Sequence, residues 1–405
     1  MTTERGHVTT AATAKLDRDG AKILELAALA PSGHNTQPWR VHVHDEMDWM
    51  IDLDPMRTLP VVDPGHRESW LSIGAFCENL ERAARQLGYR AEFDVRGDLS
   101  EGSVHVRLRT GQTAGGAHDD AADDAAEDAG EAARSGDSNP ASDAMQPPDA
   151  IRSGETGAAG ETGTAGRTQA AGDAGPADIP ASGDAGVLRA RRTVRNGFSR
   201  KPLRNDTLEK LLHGIPGVRF IAKDSDEGRS ITEAVSGAVV QQNGDDAAMR
   251  ELSEWIHWKT SEAEQRRDGL TPATMDIDGI AGLIARLFFS RKTVMGKSFR
   301  GKAVDIAREQ LAQHGGWLLV SADCDALGDI IGAGRRYEQL GLRCREHGVA
   351  IHPMSQPLEE EPWSGDLRET LGMPRLQFIL RAGYIDEYPA PVSLRRPLAD
   401  FVTAA

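Results

Sequence analysis

Two groups of residues in this chain have types and spacing suited to ligand chemistry. The first is the run Ala30-Pro31-Ser32-Gly33-His34-Asn35-Thr36-Gln37-Pro38-Trp39-Arg40. Pro31 and Gly33 shape a turn that leaves main-chain N–H and C=O groups free, and Ser32 and Asn35 add short hydrogen-bonding side chains. Such a loop can read the edge of a flat heteroaromatic ring bearing alternating donors and acceptors, although a plain helix-ending turn has the same composition. The second group is Arg191-Arg192-Thr193-Val194-Arg195, with a further pair at Arg395-Arg396. Arginine's planar fork suits a phosphate, so two such groups brought together by the fold could hold one; singly, each reads as a solvated basic turn.

Other chemistry is poorly supported. His42 and His44 share one face of a strand pattern, but no carboxylate or cysteine completes a metal spacing, so they read as surface histidines and no metal site is expected. Cys77, Cys324 and Cys344 are odd in number and form no CxxC pair, which points to reduced thiols in a cytoplasmic protein. Trp255 and Trp258 read as packing residues. Gly332 and Gly334 sit inside a helical pattern and make no dinucleotide-binding loop.

The elements that must position the two groups follow from periodicity. Ile23 to Leu29 reads as a helix ahead of the first group, with short strands at Val41 to Val43 and Trp49 to Leu53. Glu68 to Leu87 is an amphipathic helix closed by Gly88, and Ser103 to Arg109 alternates as a strand does. Beyond the second group, Asp206 and Glu209 have the spacing of a capping box. Val218 to Ile221 and Trp317 to Ser321 read as strands, with helices near Ala248–Ala263, Lys302–Gln313 and Asp325–His347. Helices and strands intermix, giving an α+β or α/β class.

The formal net charge is −15, from 47 Lys+Arg against 62 Asp+Glu. Residues 111–187 carry 15 of the acids, only 3 bases, and almost no large apolar residues, and they read as a disordered acidic linker. Without it the chain is nearly neutral. No basic face suited to nucleic acid is visible, and the charge opposes anionic membranes. No apolar stretch has the length of a membrane span, and the first twenty residues lack the apolar core of a signal peptide.

One internal echo stands out. Gly74, Glu78, Leu80, Arg85 and Gly88 recur 260 residues on as Gly334, Glu338, Leu340, Arg345 and Gly348, so residues 1–110 and 188–405 could be two copies of one fold.

The string APSGHNTQPWR resembles the signature of the flavin-dependent nitroreductase superfamily, and RRTVRNGFSRKPL resembles the arginine-rich opening motif of the same superfamily. The segments LGMPRLQFILRAGY and RRPLADFV are similar to its closing strand and basic C-terminal segment. The motif order, APSGHN before RRTVR, is similar to the Acg-type branch, whose members look like two nitroreductase halves fused in one chain. The resemblance covers nearly all of the chain outside residues 111–187.

The resemblance implies a nitroreductase-like α+β fold whose halves form an internal pseudo-dimer in a monomeric chain. It implies FMN, its ring edge met by Pro31, Ser32, Gly33 and Asn35. Arg191, Arg192, Thr193, Arg195 and Arg396 would hold the ribityl phosphate and ring polar atoms, and the loop His352-Pro353-Met354-Ser355 would add contacts. NADH or NADPH would supply hydride to flavin N5, and a small-molecule acceptor, nitroaromatic or quinone-like, would receive it. No catalytic side chain is required. The second half lacks a PSxxN loop at His213 to Val218 and the first lacks an arginine motif, so at most one flavin per chain is expected. Residues 268–299, with Ile277, Ile280, Ile284, Leu287 and Phe288 on roughly one face, could form a lid over the flavin. A flavin-binding or flavin-sequestering stress protein with little or no turnover is the alternative reading.

Overall fold

Strand alternation in the first half builds a sheet with one apolar face. In the computed structural model, which describes residues 15–110, 183–277 and 279–405, β1 (Trp39–Asp45) and β2 (Asp48–Leu53) form an antiparallel hairpin. β3 (Tyr89–Arg96) and β4 (Ser103–Thr110) form a second, and β4 pairs antiparallel with β2. Trp39, Val41, Val43, Trp49, Ile51, Val104 and Val106 are fully buried on one face. Arg40 and His42 hydrogen-bond Asp52 on the other, as the two-residue period requires. A last strand from the C-terminus, β9 (Val402–Ala404), adds parallel to β1 and completes the order β3-β4-β2-β1-β9.

The second half makes a four-stranded antiparallel sheet from β5 (Val218–Ala222), β6 (Gly316–Ser321), β7 (Val349–Pro353) and β8 (Leu376–Tyr384), in the order β5-β6-β8-β7. Its chain order and pairing sense match those of β1 to β4: two strands, a long helix, two strands, with the fourth beside the second. β6 is buried on both sides. Leu318 and Val320 join the main core, and Trp317 and Leu319 join a second core under the helix Asp226–Gly244. The class is α+β.

The long helices Arg67–Gln86 and Leu327–Glu346 pack on each other, and the repeated glycines lie at their contact. A Cβ on Gly74 would run into the Ile331 carbonyl, and one on Gly334 into the Leu71 carbonyl, so only glycine lets these backbones approach. Each helix ends one residue before a turn closed by a left-handed glycine, Gly88 (φ 85°) or Gly348 (φ 66°), and a strand follows.

Three expectations change. Residues 111–182 lie outside the described residues, but the helix Asp184–Ala190 includes four residues assigned to the linker; Ala185 and Val187 are buried there, which supplies the apolar anchoring missing upstream. The described residues fall in one compact unit. The helix expected over Ala248–Ala263 is two, Asp246–Glu254 and Thr260–Arg266. Between them Trp255 and His257 exchange backbone hydrogen bonds with Leu270. Asp206 makes no capping box, because the helix Asn205–Leu212 starts ahead of it with Arg204 at the N-cap, and its carboxylate pairs with that arginine. Trp255 and Trp258 are buried as packing residues.

Candidate functional site

The first group forms a tight turn held in unusual backbone geometry. His34, Asn35 and Gln37 all adopt left-handed φ angles, of 47°, 56° and 54°. Asparagine tolerates this conformation better than most residues, and such strain persists only where surroundings over-determine it. Here they do. Ser32 Oγ accepts the Gln37 N–H at 2.9 Å, and the Asn35 amide nitrogen donates to the carbonyls of Gly269 (3.1 Å) and Leu394 (3.2 Å). The Gln37 amide donates to Arg267 O at 2.8 Å.

The second group leaves the helix Asp184–Ala190 as extended chain. Arg191 Nε lies 3.0 Å from buried Glu338. Arg192 Nη2 donates to Asp276 Oδ1 at 2.6 Å, and the Arg195 N–H donates to the other Asp276 oxygen at 3.0 Å. Arg195 Nε donates to Thr274 O at 3.0 Å. Burial lowers the Arg195 pKa, Asp276 counters this, and Arg192 adds to the lowering.

Both groups face one cavity of about 130 Å³. Pro31, Ser32 and Asn35 line it on one side, and Arg191, Arg192, Thr193 and Arg195 on the other. Arg189 and Arg395 line it too, making five guanidinium groups around a space whose ion-paired carboxylates are Glu338 and Asp276. Burial first, then Arg191, pushes the Arg395 pKa down to about 9. The surplus of positive charge suits an anion.

The remaining sequence candidates sit elsewhere. Gly33 opens the turn, with its Cα turned toward Leu59. Arg396 is buried and points away from the cavity, donating to Gln37 O (2.7 Å) and Trp39 O (2.9 Å). Its neighbour Arg395 takes the cavity position and donates to Asn35 at 2.9 Å. The extended chain sends adjacent side chains to opposite sides, so the pair divides its work. His352 stands behind Arg195, with Nε2 2.9 Å from Arg195 Nη1. Burial, then Arg195 and Arg381, hold its pKa well below the usual imidazole range, so it is neutral. Pro353 ends β7. Met354 belongs to the second core, and Ser355 Oγ accepts the Ile379 N–H at 3.1 Å. None of His352, Pro353, Met354 and Ser355 lines the cavity.

The segment behind Asp276 is firmly anchored at its start. Asp268 Oδ1 lies 2.8 Å from His257 Nε2, and Oδ2 accepts from Arg57 at 2.8 Å. Burial alone would raise the Asp268 pKa, but hydrogen bonds from His257 and Arg57 outweigh it and hold it at about 2. The expected lid therefore divides. Thr274 reaches the cavity, whereas Ile280, Ile284, Leu287 and Phe288 do not lie over it. The helix Gly279–Phe288 packs through Gly282 and Ala285 and leaves those side chains exposed. Asp276, Gln37 and Glu338 were not singled out as site residues from the sequence. The charge balance of the site points to Asp276 and Glu338, and the hydrogen bonds of the turn point to Gln37; both are visible only after folding.

Whether FMN fits has two answers. The side-chain types suit a phosphate-bearing flat ring: the Ser32 hydroxyl, the Asn35 amide and clustered guanidinium groups. The space does not, since small-molecule pockets usually measure about 300–1,000 Å³. Thr274 lines the space, and Thr274 and Asp276 hold Arg192 and Arg195 by ion pair and hydrogen bond. Among the described residues no group of three or more His, Cys, Asp or Glu could hold a metal ion, and no helix is long and apolar enough to cross a membrane.

No family model matches the chain. A curated relative, the probable NAD(P)H nitroreductase PigM of a Serratia strain, is 34% identical over 82 residues. That match takes in 20% of this chain and 23% of the relative, so it spans less than a quarter of the relative's length. Among solved structures, a nitroreductase-like family protein from Bacillus cereus is similar at 16% identity and a TM-score of 0.31, over 55% of this chain and 96% of that one. The FMN-dependent nitroreductase NfnB from Mycobacterium smegmatis, in complex with NADPH, is similar at 16% identity and a TM-score of 0.28, over 51% of this chain and 92% of that one.

Proposed function

We propose that this protein is an FMN-binding oxidoreductase of the nitroreductase type, taking electrons from NADH or NADPH and passing them to a small nitroaromatic or quinone-like acceptor. The observation that carries this reading is the meeting of the Pro31–Asn35 turn with Arg191, Arg192 and Arg195 across one cavity. The curated relative named as a probable NAD(P)H nitroreductase agrees with it. Bound FMN would supply hydride transfer at its N5.

The chain's own residues would do the rest. Ser32, Asn35 and the backbone beside Pro31 would meet the ring edge. Arg192 and the Arg195 N–H, which now grip both oxygens of Asp276, form a ready two-oxygen anion cradle. Phosphate would take the place of that carboxylate when residues 273–277 withdraw, while the Asp268 anchor stays. Arg396 and His352 act from behind, fixing the turn and Arg195 respectively. The two halves work as an internal pseudo-dimer in one monomeric cytoplasmic chain. Their common strand order and the reciprocal contact at Gly74 and Gly334 support that reading. The stretch His213 to Gly217 holds the place of the Pro31 turn in the second half and lacks its Ser and Asn, so one flavin per chain follows.

The test is reconstitution with FMN, followed by anaerobic addition of NADH or NADPH and then a nitroaromatic. Bleaching of the flavin band and its recovery are expected. Failure to take up FMN would sink the reading, and uptake without bleaching would assign a flavin-sequestering role instead.

A further inference from the structure

The helix Gly279–Phe288 has an apolar face that no other described residue covers. Ile280, Leu283, Ile284 and Leu287 recur at positions i, i+3, i+4 and i+7 and are 79%, 56%, 46% and 65% exposed; Phe288 is 73% exposed. The opposite side is committed, since Ala285 packs with Met249, Ile256, Trp258 and Val294. A short helix held by one alanine stripe presents its large residues outward.

Between Asp278 and Asp305 the charge is of one sign. Residues 279–304 contain Arg286, Arg291, Lys292, Lys297, Arg300 and Lys302 and no Asp or Glu. Arg300 pairs with Asp246. The other five cations are exposed and make no ion pair among the described residues. This is a local reversal on a chain of net charge −15.

We infer that this face docks on an anionic lipid surface, with the five apolar side chains entering the interface and the five cations meeting the headgroups. Apolar area beside unpaired Lys and Arg is what interfacial helices use, and each cation near an anionic leaflet adds to binding. A second copy of the chain fits less well, because two-fold pairing of this patch would set cations against cations. Among the described residues no helix is long and apolar enough to cross a membrane.

Co-sedimentation of the full chain with vesicles of phosphatidylcholine alone, and of phosphatidylcholine mixed with phosphatidylglycerol, tests this. Binding to the anionic vesicles only, weakening as salt is raised, is expected. The double variant Arg291→Glu/Lys292→Glu should weaken it about tenfold or more, and Leu283→Asp/Leu287→Asp should abolish it. All four side chains are exposed, so circular dichroism should show unchanged folding. No binding to anionic vesicles, or binding that neither variant affects, would overturn the inference. So would lipid-free dimers, seen by analytical ultracentrifugation, that Leu283→Asp/Leu287→Asp dissociates.

Discussion

The two sheets share strand order and pairing sense but differ in what covers them. The first sheet is apolar on one face and polar on the other, where Arg40, His42 and Asp52 lie. Its central hairpin turns in two residues, Glu46 and Met47. The second sheet is buried on both faces, because residues 223–315 leave between β5 and β6 and fold back as helices over it. The same insertion delivers Asp276 to Arg192. The Pro31–Asn35 turn belongs to the sparse half, and the arginines and their internal carboxylate to the elaborated one. Two sheets of like strand order thus contribute unlike residues to one cavity.

The equivalence is most easily broken at the helix contact. Gly74→Ala and Gly334→Ala each push a Cβ into the partner's backbone, and each should lose about 3 kcal/mol of stability in urea unfolding. Gly332→Ala, on the same helix with nothing near its Cα, should gain up to about 1 kcal/mol. Unequal losses at 74 and 334 would break the symmetry.

The functional asymmetry comes next. Arg192→Ala and Asn35→Ala should each weaken FMN retention by about tenfold or more, measured by fluorescence titration. His213→Ala, in the corresponding stretch of the second half, should leave it unchanged.

The double burial of the second sheet has its own signature in pH. His314 is fully buried, with Nδ1 3.0 Å from Gly316 O and its ring edge-on to Trp317, and burial lowers its pKa to about 4. The unfolded chain takes up this proton below about pH 6.5, while the folded chain does not until about 4. Stability therefore falls as pH drops through that window, by up to about 1.4 kcal/mol per pH unit from this group. Urea titrations at several pH values should show His314→Phe with that much less slope. Smallest of all, Asp276→Asn keeps the shape of the side chain but removes its charge. It should tighten FMN binding about fivefold, read in the same fluorescence titration.

The sequence showed one part of this well and another not at all. Amphipathic helices such as Glu68 to Leu87 and alternating strands such as Ser103 to Arg109 were legible because one of their faces meets a core. Tyr89–Arg96 was not read as a strand: it lies at the sheet edge, and its alternation is between half-buried and exposed side chains. Of the candidate site, the loop and the arginine group were visible as compositions. Which arginine of the 395–396 pair faces the cavity depends on backbone direction. The Asp276 closure depends on an insertion fold that its local sequence does not announce. The apolar face of Gly279–Phe288 was legible, but its spacing could not tell a lid from an exposed surface.

The central claim is a single flavin held between unlike halves, and flavin stoichiometry after reconstitution tests it most directly. Absorbance of FMN released from gel-filtered, denatured protein should correspond to one flavin per chain. Two per chain, or none after saturating reconstitution, would contradict the account.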